Sequence, residues 1–214
     1  MRVISQQSRK SSQAFTLIEM IGVLAVIAIL ASMLVPKIFE AINSARINNT
    51  IQSYNAIKTA VMDHYGKYGA INFRGVPAPG AAATPAQLAA YDTGVLLPEA
   101  MIDKPFVARV GTNWVVQVVA GLTATDAVVG ANASYDLDGS GATVNDAAPA
   151  THVVEAVIEG VAIADAIDIS QRLDGAALSQ ASGSAAADLA GRVKYAAPAA
   201  AGDPVVVHIY IAHR

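Results

Sequence analysis

The 214 residues contain no cysteine. That excludes a disulfide, lipid attachment through cysteine and any thiolate metal site. An outer domain must therefore be braced by other means, such as an oxygen-liganded metal or a tightly paired sheet. Basic residues are also scarce: 14 Lys and Arg stand against 17 Asp and Glu. A general affinity for nucleic acid needs a basic surface, and none is present. There is no glycine-rich phosphate loop following a strand. None of the four histidines, His64, His152, His208 and His213, stands in a recognisable motif with a serine or an acid, so the sequence gives no indication of catalysis. No internal repeat is visible. Acidic residues are missing from the first 14 positions, which carry Arg2, Arg9 and Lys10.

What the chain does have, directly after that basic leader, is an apolar run from Phe15 to Val35 with one charge, Glu19, closed by Pro36. A helix of this length spans ~31 Å, the thickness of a bilayer's hydrocarbon core. The leader charges favour a cytoplasmic N-terminus with the bulk of the chain outside. A carboxylate in such a segment costs roughly 2.5–3.5 kcal/mol on insertion, so a compensating partner is expected. A secretory signal peptide fits badly, because its apolar region is ~7–15 residues long and ends at a small-x-small site. A plain membrane anchor explains the length and the leader but not Glu19.

The segment Gln13-Ala14-Phe15-Thr16-Leu17-Ile18-Glu19 resembles the processing site of type IV pilins and of the related pseudopilins of type II secretion. The resemblance covers roughly residues 9–65, and beyond residue 70 it is one of layout only. It implies that a prepilin peptidase cuts between Ala14 and Phe15, and that Phe15 is then N-methylated. Glu19 and Pro36 stand where type IVa-like members carry the same residues, while Ala14 departs from the usual glycine. The new Phe15 amine has a reference pKa near ~8. A buried amine–carboxylate pair adds little net stability, but mispairing it costs several kcal/mol. Glu19 is therefore expected to fix register by neutralising the Phe15 amine of a neighbouring subunit. Loss of the leader takes the Lys and Arg count from 14 to 11, so the mature side-chain charge is −6. A disulfide that many pilins use near the C-terminus is missing here.

Past Pro36 the apolar positions Ile38, Ile42, Ala45, Ile47, Ile51, Tyr54, Ile57, Val61 and Tyr65 recur mostly at steps of three or four. That pattern predicts a helix with one apolar face, bent or locally melted at Pro36 and ending near Gly66 or Gly69. Residues 70–83 read as a loop. Thr84-Pro85-Ala86-Gln87 opens a short helix to about Tyr91, stopped by Gly94, and 70–105 resembles the variable loop of pilins. Phe106–Val110 and Trp114–Ala120 read as a hairpin around Gly111-Thr112-Asn113. Val153–Val161 is a strand with Glu155 and Glu159 on one face, and Ile163–Leu173 a helix ending at Gly175. Residues 176–190 are a surface loop, and Arg192–Ala196 and Val205–Ala212 are strands. The whole is an α+β, pilin-like layout: a long N-terminal transmembrane and amphipathic helix packed on a C-terminal antiparallel sheet. Its parts are a leader over 1–14, a membrane helix over 15–35, an outer helical half over 36–68 and a globular head over 69–214.

Asp136-Leu137-Asp138-Gly139-Ser140-Gly141 matches the first half of an EF-hand-like calcium loop. Ala147 stands where a bidentate acid belongs, and Asp146 is one place early. Asp136, Asp138, Ser140 and Asp146 are the candidate ligands of a structural calcium, and some pseudopilins brace their outer domain with that ion. The same residues equally form a metal-free tight turn. Asn48-Asn49-Thr50 and Asn132-Ala133-Ser134 fit glycosylation sequons. Together these features predict a structural subunit that uses no catalytic cofactor. It would be inserted in the inner membrane, then packed helically as a homo-oligomer in an extracellular filament or periplasmic pseudopilus. As the resemblance implies, its partners are a prepilin peptidase, an assembly platform and a motor ATPase. A major pilin, a pseudopilin and a rare minor or tip-binding subunit all remain open.

Overall fold

A computed structural model describes residues 15–75, 81–120, 134–139 and 152–214. The chain divides into two compact units, the first ending at Ser44 and the second running from Ala45 to Arg214.

In the first unit the described residues belong to the start of helix α1, Leu17–Tyr68. Its apolar side chains, among them Leu17, Ile18, Leu24, Ile29, Leu30, Met33 and Leu34, are exposed on every side of the helix. A helix that is hydrophobic all round needs lipid or other helices as its surroundings. This is the one helix among the described residues that is long and apolar enough to cross a membrane. Helical geometry continues through Pro36, so the local melting expected there does not occur. Lys37 and Glu40 pair one turn apart at 2.8 Å.

The second unit is built on the rest of α1. Ile47, Tyr54, Ile57 and Val61 of the expected stripe are buried, with Ile51 and Tyr65 packed at its edge. The stripe also buries Thr50 and His64, which the apolar periodicity did not include. The helix ends at Tyr68, and Gly69 adopts φ +71° with its N–H bonded to the Tyr65 carbonyl at 2.8 Å. That left-handed glycine is the ordinary C-terminal stop.

Four antiparallel strands follow: β3 (Asn113–Ala120), β4 (His152–Val161), β5 (Val193–Tyr195) and β6 (Val205–His213), in the order β3-β4-β6-β5. In β6 the alternation is as expected, with Val205, Val207, Ile209 and Ile211 buried. One face of the sheet, carrying Val154, Ala156 and Ile158, joins α1 in the main core. The opposite face is also covered, by Tyr135 and Leu137 against Val153, Val119 and Tyr210. Burial on both faces explains why β4 is a nearly continuous apolar run. Helix α3 spans Ile163–Leu173 with Gly175 just beyond it, as the sequence implied.

Three expectations need correction. Residues 70–83 contain a short antiparallel pair, β1 (Phe73–Arg74) with β2 (Ala81–Ala82). Helix α2 (Pro85–Ala89) is followed by a π-helical turn, Asp92–Leu96, that runs straight through Gly94. A side chain at Gly94 would sit 2.8 Å from the Gln87 backbone, so this glycine serves close packing and not helix termination. Finally, 106–110 is no strand, and β3 takes β4 as its partner. The backbone of 106–110 is instead satisfied by side chains. Phe106 N–H donates to Asp92 at 2.9 Å, Val107 N–H to Ser53 Oγ at 3.1 Å and Arg109 N–H to Thr50 Oγ1 at 2.9 Å. Phe106, Ala108 and Val110 remain buried, so the strand-like alternation reports burial against a helix.

Candidate functional site

At the N-terminal motif, Thr16 is the residue before the first helical position and Glu19 lies three residues on. The Glu19 carboxylate accepts from the Thr16 N–H at 2.8 Å and from its hydroxyl at 2.7 Å, and the Glu19 N–H donates back to Thr16 Oγ1 at 3.3 Å. This reciprocal capping box satisfies donors that a helix end otherwise leaves orphaned. A single subunit thus already gives Glu19 a partner, one that the Thr-x-x-Glu spacing carries and that the sequence reading did not name. Phe15 stands 82% exposed directly before it. Ala14 and the residues before it lie outside the described residues.

The head concentrates its polar chemistry in three enclosed clusters. On the outer sheet face, Glu155 is fully buried and accepts from Tyr135 at 2.6 Å and Gln117 at 2.8 Å, with His208 Nδ1 3.6 Å away. Burial works against the Glu155 carboxylate, but His208, Tyr135 and Gln117 outweigh it and hold its pKa below the usual value. Beside it the Lys194 ammonium donates to the Ser134 carbonyl at 2.6 Å and lies 4.2 Å from the centre of the Tyr135 ring. Burial pushes Lys194 down to about 8, against the pull of Glu155. Glu155 and Glu159 do share a face as expected, each bonded to its cross-strand partner, Gln117 and Asn113.

The second cluster joins α1 to the 71–99 segment. His64 Nε2 lies 3.1 Å from Glu99, both side chains fully buried, and His64 Nδ1 is 3.1 Å from the Tyr91 hydroxyl, which donates to the Ile71 carbonyl. Glu99 also receives the Gly75 N–H. Burial lowers the His64 pKa while Glu99 pulls it upward. The third cluster stands where a disulfide would otherwise be useful. Asp174 accepts from the N–H groups of Arg192 and Val193 at 3.0 and 2.9 Å. Asp188 accepts from Ser170 at 2.7 Å and exchanges two backbone hydrogen bonds with Tyr195. The 176–190 stretch is therefore fastened at its far end, not a wholly exposed loop.

Of the candidate calcium ligands, Asp136 is buried, and its backbone pairs with Ala190 and accepts from Gly191. Asp138 is exposed, while Ser140 and Asp146 lie outside the described residues. Among the described residues no three His, Asp or Glu side chains converge as a metal cage. The first sequon sits within α1. Its Thr50 is 1% exposed with the hydroxyl already donating to Arg46, and Asn48 receives Arg172. In the second, Asn132 is outside the described residues and Ser134 is buried.

Residues 9–35 match the family model of the prokaryotic N-terminal methylation motif. No curated protein and no solved structure matches the chain. The matched span takes in Arg9 and Lys10, the residues Ala14 and Phe15, the Thr16–Glu19 cap and the apolar helix up to Val35. Proteins marked by this motif are structural and not catalytic. By its N-terminus, then, this chain is a bearer of the prokaryotic N-terminal methylation motif, the signal of type IV pilins and pseudopilins.

Proposed function

We propose that the protein is the structural subunit of a type IV pilus-like filament, processed between Ala14 and Phe15, N-methylated at Phe15 and assembled by packing of the N-terminal helices. The observation that carries this reading is the coincidence of the methylation motif with a helix whose apolar side chains face outward all round. The motif and that helix fit an inner-membrane-anchored precursor. Apolar helices gain nothing by hydrophobic transfer when they leave lipid for each other, so packing and polar pairing supply the driving force. In the filament Glu19 exchanges part of its bonding to Thr16 for the Phe15 amine of a neighbour, which sets register. The peptidase, an assembly platform and a motor ATPase act on the subunit from the membrane.

A pseudopilin is the second reading, favoured by the cysteine-free head, which is braced by buried carboxylates such as Asp174 and Asp188. One experiment addresses both. Intact mass and N-terminal sequencing of sheared extracellular material should give a chain starting at methylated Phe15. Glu19→Ala should leave membrane insertion intact while reducing that material to a few per cent. Processed wild-type chain confined to the membrane fraction favours the pseudopilin. Normal filaments from Glu19→Ala would end the register argument.

A further inference from the structure

The proposed function assigns no role to a cleft of about 490 Å³ in the head, between the outer half of α1 and the end of β6. Its floor is apolar, formed by Val61, Met62, Ile71 and Ile211, with the Tyr65 ring beside them. Around it stand Lys58, Arg192, His213 and Arg214, and no Asp or Glu is among the lining residues described.

Three of the four basic side chains already have partners within the head. The Arg214 guanidinium lies 4.9 Å from the centre of the Tyr65 ring, a cation–π contact that limits its rotamers. His213 Nδ1 is 2.6 Å from the Tyr210 hydroxyl, and Arg192 lies 4.0 Å from Asp174. Lys58 is half-buried and forms no ion pair with any described carboxylate. A concave apolar floor with a few convergent polar groups, in a volume of a few hundred Å³, is the usual form of a small-molecule site.

We propose that this cleft binds a small organic anion, a carboxylate on a flat apolar body. The ring lies along Met62 and Tyr65, and the charge is met by Lys58. The site is independent of leader cleavage and filament formation, so its failure leaves the assembly reading untouched.

The probe is 4-fluorobenzoate, followed by fluorine NMR with the full chain in lipid nanodiscs. Uncharged 4-fluorobenzyl alcohol and inorganic phosphate serve as controls. Fluorobenzoate should bind at least ~tenfold more tightly than the alcohol, the ratio expected from one charge-assisted contact. Phosphate, with no apolar body, should displace it only at much higher concentration. Lys58→Gln should weaken fluorobenzoate by ~tenfold, and Met62→Glu, at a half-exposed position, should abolish binding by placing a carboxylate on the floor. Circular dichroism melts matching wild type keep both variants interpretable. Equal binding of the alcohol, equal potency of phosphate, unchanged affinity in both variants or no binding by wild type each overturns the proposal.

Discussion

Lys194 shows how one side chain's environment becomes a measurable property of the fold. It is 2% exposed, its ammonium donates to the Ser134 carbonyl, and burial pushes its pKa down to about 8. An unfolded lysine titrates near ~10.4. Between about 8 and that value the unfolded chain binds a proton that the folded chain does not, so stability rises with pH across this window. Below it the full cost of burying the charge is present, on the order of 3 kcal/mol. Tyrosines act in the opposite sense at higher pH. Burial raises Tyr54 to about 12, so ionisation of unfolded tyrosine near ~10 favours unfolding. Urea titrations of the full chain at pH 8.0 and 9.5 should therefore show wild type gaining ~1 kcal/mol or more. Lys194→Met should show no such gain, and equal slopes for the two proteins would contradict the assignment. At this scale the sequence disclosed little: nothing local to Val193-Lys194-Tyr195 reveals that a lysine lies inside, because its covering residues are 60 positions away.

At the scale of elements, the segment 106–110 is the most instructive. Its alternation of buried Phe106, Ala108 and Val110 is what a strand would have. The hydrogen-bond partners, however, are hydroxyls on α1 and the Asp92 carboxylate. Period-two burial follows from any extended chain laid on a surface, whereas strand formation also needs a neighbouring strand with free backbone groups. β4 was already committed to β3 and β6. The arrangement makes Thr50 a joint between elements, since its hydroxyl donates to Arg46 and accepts from the Arg109 N–H. Thr50→Val keeps the shape and removes the acceptor. It should cost about 1–3 kcal/mol, the penalty of leaving a buried N–H unpaired, and should speed amide exchange at Arg109 while leaving the sheet protected. Unchanged exchange at Arg109 would show that the bond is not maintained. Elements whose signals are local, α3 with its Gly175 stop and β6 with its clean alternation, were legible to within a residue or two.

For the whole molecule, the division at Ser44 and Ala45 has a physical counterpart. The described residues of the first unit expose their apolar side chains, while the second contains a core that includes Ile47 on α1 and Ile211 on β6. A chain comprising Ala45–Arg214 should accordingly fold as a soluble monomer with a cooperative thermal transition, while remaining incapable of filament formation. Sedimentation and circular dichroism check this directly. Aggregation or a broad transition would mean that the head depends on the residues before it. The missing disulfide is not a weakness at this scale, because Asp174, Asp188 and Lys194 tie the C-terminal region to α3 and to Ser134 from inside. Removing calcium by chelation tests whether a metal adds to these ties at Asp136 and Asp138.

The N-terminal features were legible in the sequence alone. The apolar run, the basic charge before it, the methylation motif and the Thr16–Glu19 spacing are properties of contiguous residues, and lipid rewards contiguous apolar length without reference to the rest of the chain. Tertiary structure alone decided which polar groups of the head became interior. Glu155 meets Tyr135, His64 meets Glu99, and Asp174 meets Val193 across separations of 20, 35 and 19 residues. Such pairs have no local period or motif. They form because a buried charge or N–H must find a partner wherever the packed sheet and helix place one.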